Sequence, residues 1–370
     1  MDGLGTEVIS ADSHVNAPVE MWVDYLPTEF RDRAPVLEHT DDGDFEVFEG
    51  RRKPLIGLTA AAGRRPQEYT MTVRRLDEVR RGGFDPGPRI EDQDLDGIDA
   101  EVLFGGLAGT PLTSHDPALS RASFTAYNRW LADFCAYAPT RLYGIAYVPY
   151  ADPDDTLAEV HDAAAHGLRG VLLTQTPAEG SWADERWEPL WRELVTLGMP
   201  VHFHVGGSGG LQHAATTGDG GPAGYLNSMM ARKLEMSLAL GTLVLSGVLA
   251  SHPELKVVSV EGQIGWVPFW KEYIDHVYEK HRWHLDHHFD EPPSFYIDRQ
   301  VYYTFMEDRH GVDARHACGV NRIMWANDYP HSETTWPHSH KILGEAFTGV
   351  PGNEIQRIVH DNCAELYGLR

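Results

Sequence analysis

Histidines and carboxylates recur in this sequence at short spacings beside apolar runs, a pattern suited to metal chemistry. Near the amino terminus, Ser10-Ala11-Asp12-Ser13-His14 sets a carboxylate and an imidazole two residues apart. On a strand such a pair shares one face. Pro200-Val201-His202-Phe203-His204 carries two imidazoles at the same spacing, and Asn327-Asp328-Tyr329-Pro330-His331 adds a carboxylate followed by a histidine. Imidazole and carboxylate donors together suit Zn, Mn or Fe. Asp12, His14, His204 and Asp328 are the expected ligands, and His202, one layer deeper, is expected to support His204 from the core. The apolar or small run Val257 to Val260 ends in Glu261. A buried carboxylate needs a cation, a metal or a donor. Glu261 is therefore read as a catalytic group or a further metal ligand, with Asp328 and His331 beside it in the catalytic set.

These groups must be brought together by the elements that carry them. Eight short apolar runs read as buried strands: Glu7 to Val15, Ile98 to Gly106, Arg141 to Tyr150, Gly167 to Thr176, Met199 to Gly206, Leu255 to Gln263, Val301 to Asp308 and Arg322 to Tyr329. Helical patterns lie between most of them, over Pro117 to Tyr137, Pro153 to His166, Asp184 to Leu197, Leu226 to Leu249, Val267 to His281 and Gly311 to Gly319, and another closes the chain at Glu354 to Leu366. Strands alternating with helices give an α/β fold, a (β/α)8 TIM barrel, over residues 1–370 as one domain. The candidate ligands then stand at the C-terminal strand ends, where barrels of this kind carry their working residues.

A barrel needs about 250 residues, so part of this 370-residue chain is inserted. Most of the insertion runs from about Arg31 to Asp96, between the first and second strands, as a flap that caps the barrel mouth. The piece Asp44 to Phe48 alternates as a hairpin strand would. From Gly50 to Ile90 the flap carries ten Lys and Arg against four acids. Arg74, Arg75, Arg80 and Arg81 are candidates for binding an anionic small-molecule substrate. A second insertion, Trp283 to Ser294, lies beside the seventh strand; the histidine-rich run His281 to His288 there lacks clean ligand spacing and reads as a solvated lid. Gly206-Gly207-Ser208-Gly209-Gly210 matches a nucleophile motif formally, but no helix starts behind the serine, so it reads as a loop. His252 precedes the sixth strand, at the barrel bottom, and is expected to be structural.

Composition narrows the partners. The chain holds 31 Lys and Arg against 55 Asp and Glu, a net charge of −24, which argues against nucleic acid and anionic membranes. Three scattered cysteines without a CxxC point to a reduced, cytoplasmic protein.

Together these motifs, with His252-Pro253-Glu254-Leu255-Lys256 before the sixth strand, resemble the amidohydrolase-related metal-dependent barrels, including aminocarboxymuconate-semialdehyde decarboxylase and the resorcylate-type decarboxylases. The resemblance spans essentially the whole chain. It implies one catalytic divalent metal, Zn or Mn, on Asp12, His14, His204 and Asp328, and a lyase or hydrolase acting on a small carboxylated or cyclic substrate. A homodimer is a further expectation from the family. Relatives often carry a histidine acid–base at the end of the sixth strand, whereas this sequence has Glu261. Glu261 is then either a proton shuttle or a ligand to a second metal. The second possibility corresponds to an oxygen-dependent hydroxylase, a monooxygenase with two non-heme irons.

Overall fold

The architecture is known from a computed structural model, which describes residues 5–70, 72–73, 75–105, 110–205, 221–285 and 288–369. Eight parallel strand positions follow one another in chain order. They are Ile9–Val15, Ala100–Gly105, the split third strand Leu142–Gly144 with Ala146–Tyr147, Val171–Leu173, Val201–His204, Val257–Val260, Val301–Phe305 and Ile323–Trp325. Regular ladders join them as two arcs, one holding the first three strands and the other running from the outer half of the third to the eighth. Backbone bonds link the arcs. Ile145 donates to the Leu103 carbonyl and Ala146 to that of Gly170, while Asp328 donates to Asp12 and His14 to Tyr329. The alternation is that of a (β/α)8 barrel whose seam between the eighth and first strands is made by strand ends rather than by a ladder.

Side-chain alternation explains the two layers of core. Ile9, Ala11, Val102, Phe104, Tyr143, Ile145, Val258, Val260, Tyr302 and Met324 pack together inside the ring, closed below by Cys363 and Tyr367 of the last helix, Asn362–Tyr367. Their neighbours in sequence, such as Val201, Phe203, Val257 and Phe305, face outward against the helices. These helices include Pro117–Ala136, Pro153–Ala165, Glu188–Leu197, Gly221–Leu245 and Val267–His281. The expected helix from Leu226 to Leu249 starts earlier and breaks at Gly247, whose φ of 88° admits glycine without strain.

The insertion carries its expected hairpin strand within a larger sheet. Its alternating piece belongs to a four-stranded antiparallel sheet of Val36–Thr40, Gly43–Phe48, Arg51–Ile56 and Thr72–Val73. Its last part, Pro86–Asp96, is an α-helix and serves as the crossover into the second strand, so the inserted material ends near residue 85. Pro86-Gly87-Pro88 looks like a breaker in sequence. In the first helical turn, however, a missing proline N–H costs nothing, and the Asp85 side chain caps the free Gly87 N–H.

Candidate metal centre

The first strand shifts its register against the second between Ser10 and Ser13, a bulge-like irregularity that spans Ala11 and Asp12. Bulges re-aim side chains. Here Asp12 and His14 are both turned inward and buried, at 0% and 2% exposure. His204 arrives from the end of the fifth strand. Its Nδ1 lies 2.9 Å from the Val205 carbonyl, an acceptor that fixes the proton there and turns Nε2 toward Asp12 Oδ1 at 3.4 Å. Glu261 and Asp328 follow their strands with φ of 62° and 52°. Non-glycine residues adopt such values at a cost that surrounding structure must hold, and they concentrate at working sites.

Six residues converge. Asp12, His14, His204 and Glu261 form one set whose donor atoms lie within 4.8 Å of one another, and His14, Glu261, Asp328 and His331 form a second. His14 Nε2 lies 3.4 Å from Asp12 Oδ1 and 3.2 Å from Asp328 Oδ1. The His331 ring stacks on that of His14 at 3.6 Å, and its Nδ1 is 3.1 Å from Asp328 Oδ1. Asp12 Oδ2, both His14 nitrogens, both Asp328 carboxylate oxygens and His331 Nε2 are buried without a hydrogen-bond partner among the described residues. Buried polar atoms are nearly always satisfied. So many orphans of two ligand chemistries around one point fit a divalent cation of the kind imidazole and carboxylate hold.

The imidazoles differ in their electrostatics. Burial, with the neighbouring His331, pushes the His14 imidazole well below its ordinary range, toward the neutral form a ligand needs. Burial opposes charge on His204, but Asp12 and Glu261 outweigh it and raise the imidazole to about 9. His331 is likewise raised, burial being overcome by Asp328.

The other candidates divide. His202 lies beneath the cluster, its Nδ1 3.0 Å from the Val171 carbonyl and its Nε2 2.9 Å from the Tyr367 hydroxyl; it is a satisfied core histidine. His252 is paired with Glu188 at the opposite end. Of the arginines proposed for substrate, the three described ones find acidic partners other than the strand-end donors. Arg75 pairs with Asp44 and Arg81 with Asp85 inside the insertion, and Arg80 pairs with Asp92 of the crossover helix, so nearby acids neutralise all three. Arg74 lies outside the described residues, as do Gly206 to Gly210 and His287 of the histidine-rich segment.

Two residues at the centre carry no motif. Lys233, on the helix Gly221–Leu245, places Nζ 2.8 Å from Glu261 Oε1 and 2.6 Å from Glu333 Oε2. Burial opposes its charge, but the two carboxylates raise the ammonium above its ordinary value. Glu333 stands two residues past His331, and that proximity was the one signal available for it.

A buried strut supports the site from the first crossover helix. Arg89, fully buried, donates Nε to Glu101 Oε2 at 2.6 Å and Nη1 to the His14 carbonyl at 2.8 Å, and its guanidinium lies 4.3 Å over the Tyr329 ring. Asn327 Oδ1 accepts from Ser10 Oγ, Ser13 Oγ and the Tyr329 amide. The first and eighth strands are thus fixed to each other directly behind their ligands.

Comparison with known proteins agrees with this fold. The family model described as amidohydrolase matches residues 11–369. A curated relative, the γ-resorcylate decarboxylase of Rhodococcus jostii strain RHA1, is 28% identical over 225 residues, covering 55% of this chain and 64% of that protein. Among solved structures, an amidohydrolase from Mycobacterium avium subsp. paratuberculosis K-10 superposes with a TM-score of 0.80 at 23% identity, covering 98% of this chain and 100% of its own. The 5-carboxyvanillate decarboxylase of Novosphingobium aromaticivorans DSM 12444, complexed with manganese and 4-hydroxy-3-methoxy-5-nitrobenzoic acid, superposes with a TM-score of 0.71 at 18% identity, covering 99% and 97%. Nothing in these similarities supports the oxygen-dependent two-iron reading, which is set aside. Among the described residues no helix is long and apolar enough to cross a membrane.

Proposed function

The chain belongs to the amidohydrolase family, and from that premise we propose that it is a metal-dependent decarboxylase of a small carboxylated aromatic acid. The observation that carries this reading is the group of orphaned donor atoms on Asp12, His14, Asp328 and His331, closed by His204 and Glu261 at the strand ends. Asp12, His14, His204 and Asp328 would hold one divalent ion, Mn or Zn. When bound, such an ion supplies a Lewis acid that orients the substrate oxygens and balances negative charge.

The chain's own residues supply the proton. Loss of a ring carboxylate as carbon dioxide requires a proton at the ring carbon: the C–H bond forms, the C–C bond breaks, and its electron pair returns to the ring. Asp328 beside His331 Nδ1 favours the charged imidazole, and Nε2 is buried and free to deliver that proton. Glu261, with Oε1 on Lys233 and Oε2 3.5 Å from His204, stands within reach of His331 to return it.

We also assign the insertion as a cap of this single domain. Its Ala61 and Ala62 amides donate to the Pro330 carbonyl, its Thr59 carbonyl accepts from Asn16, and Arg80 lies 4.2 Å over the Trp336 ring. All these contacts fall on segments that follow the first and eighth strands, at the mouth.

The test is carbon dioxide release from a panel of hydroxybenzoates and carboxyvanillates, using chelator-treated protein before and after Mn2+ is restored. Metal-dependent release supports the reading. Hydrolysis of a lactone or amide without release from any acid would move the enzyme to the hydrolase arm of the family.

A further inference from the structure

The proposed reaction brings an anionic substrate to a mouth that already holds several carboxylates. Asp12, Glu261 and Asp328 stand in the cluster, and Glu333 lies beside it. Like charges repel, so a part of the substrate that does not reach the metal needs a cation of the protein. Arg75, Arg80 and Arg81 of the flap are engaged by Asp44, Asp92 and Asp85. Lys233 instead reaches a strand-end donor, with Nζ 2.8 Å from Glu261 Oε1 and 2.6 Å from Glu333 Oε2. An ammonium has three donors, and these two bonds use two of them.

We propose that Lys233 Nζ is the seat for a substrate carboxylate that stays on the product, and that Glu333 occupies this seat in the free enzyme. The proposal rests on the decarboxylase reading. The two carboxylates on the ammonium differ in how firmly they are placed. The Glu261 side chain is 11% exposed, and its strand-end amide donates to Thr304 Oγ1 at 2.7 Å. The Glu333 side chain is 36% exposed, on a segment that follows the eighth strand. Its backbone neighbours are pinned, since Thr334 Oγ1 and the Thr335 amide donate to the Asn327 carbonyl at 2.8 and 3.0 Å. Glu333 can thus turn its side chain into water while the backbone stays in place, and ion pairs with an exposed member contribute little.

The exchange replaces one carboxylate by another. The charge around the ammonium is unchanged, and Glu261 keeps its hydrogen bond throughout. A substrate carboxylate therefore meets a site already shaped and charged for its group. The chemistry decides which carboxylate this is. A departing carboxylate gives up its charge as its electron pair moves into the ring, so a cation fixed on it would favour the bound acid over the transition state. A retained carboxylate keeps its charge, and holding it orients the ring beside the acid–base groups without that penalty. The substrate class is then an aromatic ring with two carboxylates, one lost and one kept.

The experiment is calorimetric binding of benzoate, isophthalate and terephthalate to Mn2+-loaded protein at fixed pH and ionic strength. These rings lack the hydroxyl that would ease protonation, so binding is read without turnover. Wild type should bind the better dicarboxylate about tenfold or more tighter than benzoate, the usual size of a charged hydrogen bond. Glu333→Gln should tighten the dicarboxylate by a further factor of about two to five and leave benzoate unchanged. Lys233→Met should abolish the preference, and Lys233→Gln gives the same readout should the methionine variant not fold. Equal affinities in wild type, a preference that survives both uncharged variants, or weaker dicarboxylate binding in Glu333→Gln overturns the proposal. Should the preference hold while no acid of the decarboxylation panel releases carbon dioxide, the seat stands and the decarboxylase reading falls. Release of carbon dioxide without any preference does the reverse.

Discussion

Replacing Arg89 by methionine removes the most deeply buried cation among the described residues while keeping much of its volume. The guanidinium is fully buried and its partner Glu101 is 1% exposed, with 2.6 Å between Nε and Oε2. Glu101 retains the Gln93 amide at 2.6 Å and the Ser13 hydroxyl at 3.2 Å, but both are neutral donors. Removing one member of a buried pair typically costs about 3–5 kcal/mol, because a charge stays behind without compensation. Against a usual total of about 5–15 kcal/mol, that is a large fraction of the stability. The His14 carbonyl also loses its 2.8 Å donor, and Tyr329 loses the cation over its ring. Both residues flank or carry ligands, and loss of such supporting contacts lowers metal affinity by about 10–100-fold. Urea unfolding of metal-free protein gives the first quantity and Mn2+ titration the second. The double variant R89M/E101Q removes the stranded charge and should recover most of the stability, though not the metal affinity. A single variant that loses less than about 1 kcal/mol, or a double variant no more stable than the single, would refute the reasoning that charge pairing holds this strut.

Other outcomes follow from the same geometry. His204→Ala and Asp328→Ala should each weaken Mn2+ binding by more than about a hundredfold, since loss of a ligand exceeds loss of its supporting contacts; direct titration measures this. His331→Ala should retain metal but lose turnover by about 10²–10⁴, the usual contribution of a positioned acid–base, as read by carbon dioxide release with metal content measured alongside. Metal loading should also eject a proton. With His204 raised to about 9 from an ordinary 6.5, its imidazole is charged near neutrality in the metal-free protein and must become neutral to bind. Apparent affinity should therefore climb as pH rises from neutrality and level off above about 9. Calorimetry in buffers of different ionisation enthalpy would count the proton, and an affinity flat between pH 7 and 9 contradicts the expectation.

Much of the centre was legible because strands alternate faces and barrels work at their C-terminal ends. Asp12 with His14, His202 with His204, and Glu261 after a buried run could each be placed from spacing alone. Lys233 and Glu333 could not, since Lys233 meets Glu261 across 28 residues and Glu333 across 100, with no periodic sign of it. The arginine count missed its acidic partners for a related reason. A count from Gly50 to Ile90 finds excess positive charge, but Asp44 and Asp92, partners of Arg75 and Arg80, fall just outside that window. Arg89 was one more surface base in that count, whereas it lies at the heart of the support behind His14. Charge tallies register neither burial nor pairing, and both are decided by tertiary contacts. The crossover helix Pro86–Asp96 escaped because prolines in a first turn look like breaks.

The central claim is that the strand ends of this barrel bind a catalytic divalent ion. Crystals soaked in Mn2+ and measured at the manganese absorption edge test it most directly. The account predicts an anomalous peak coordinated by Asp12, His14, His204 and Asp328, lost in Asp328→Ala crystals. A peak elsewhere, or none at these residues, would contradict it.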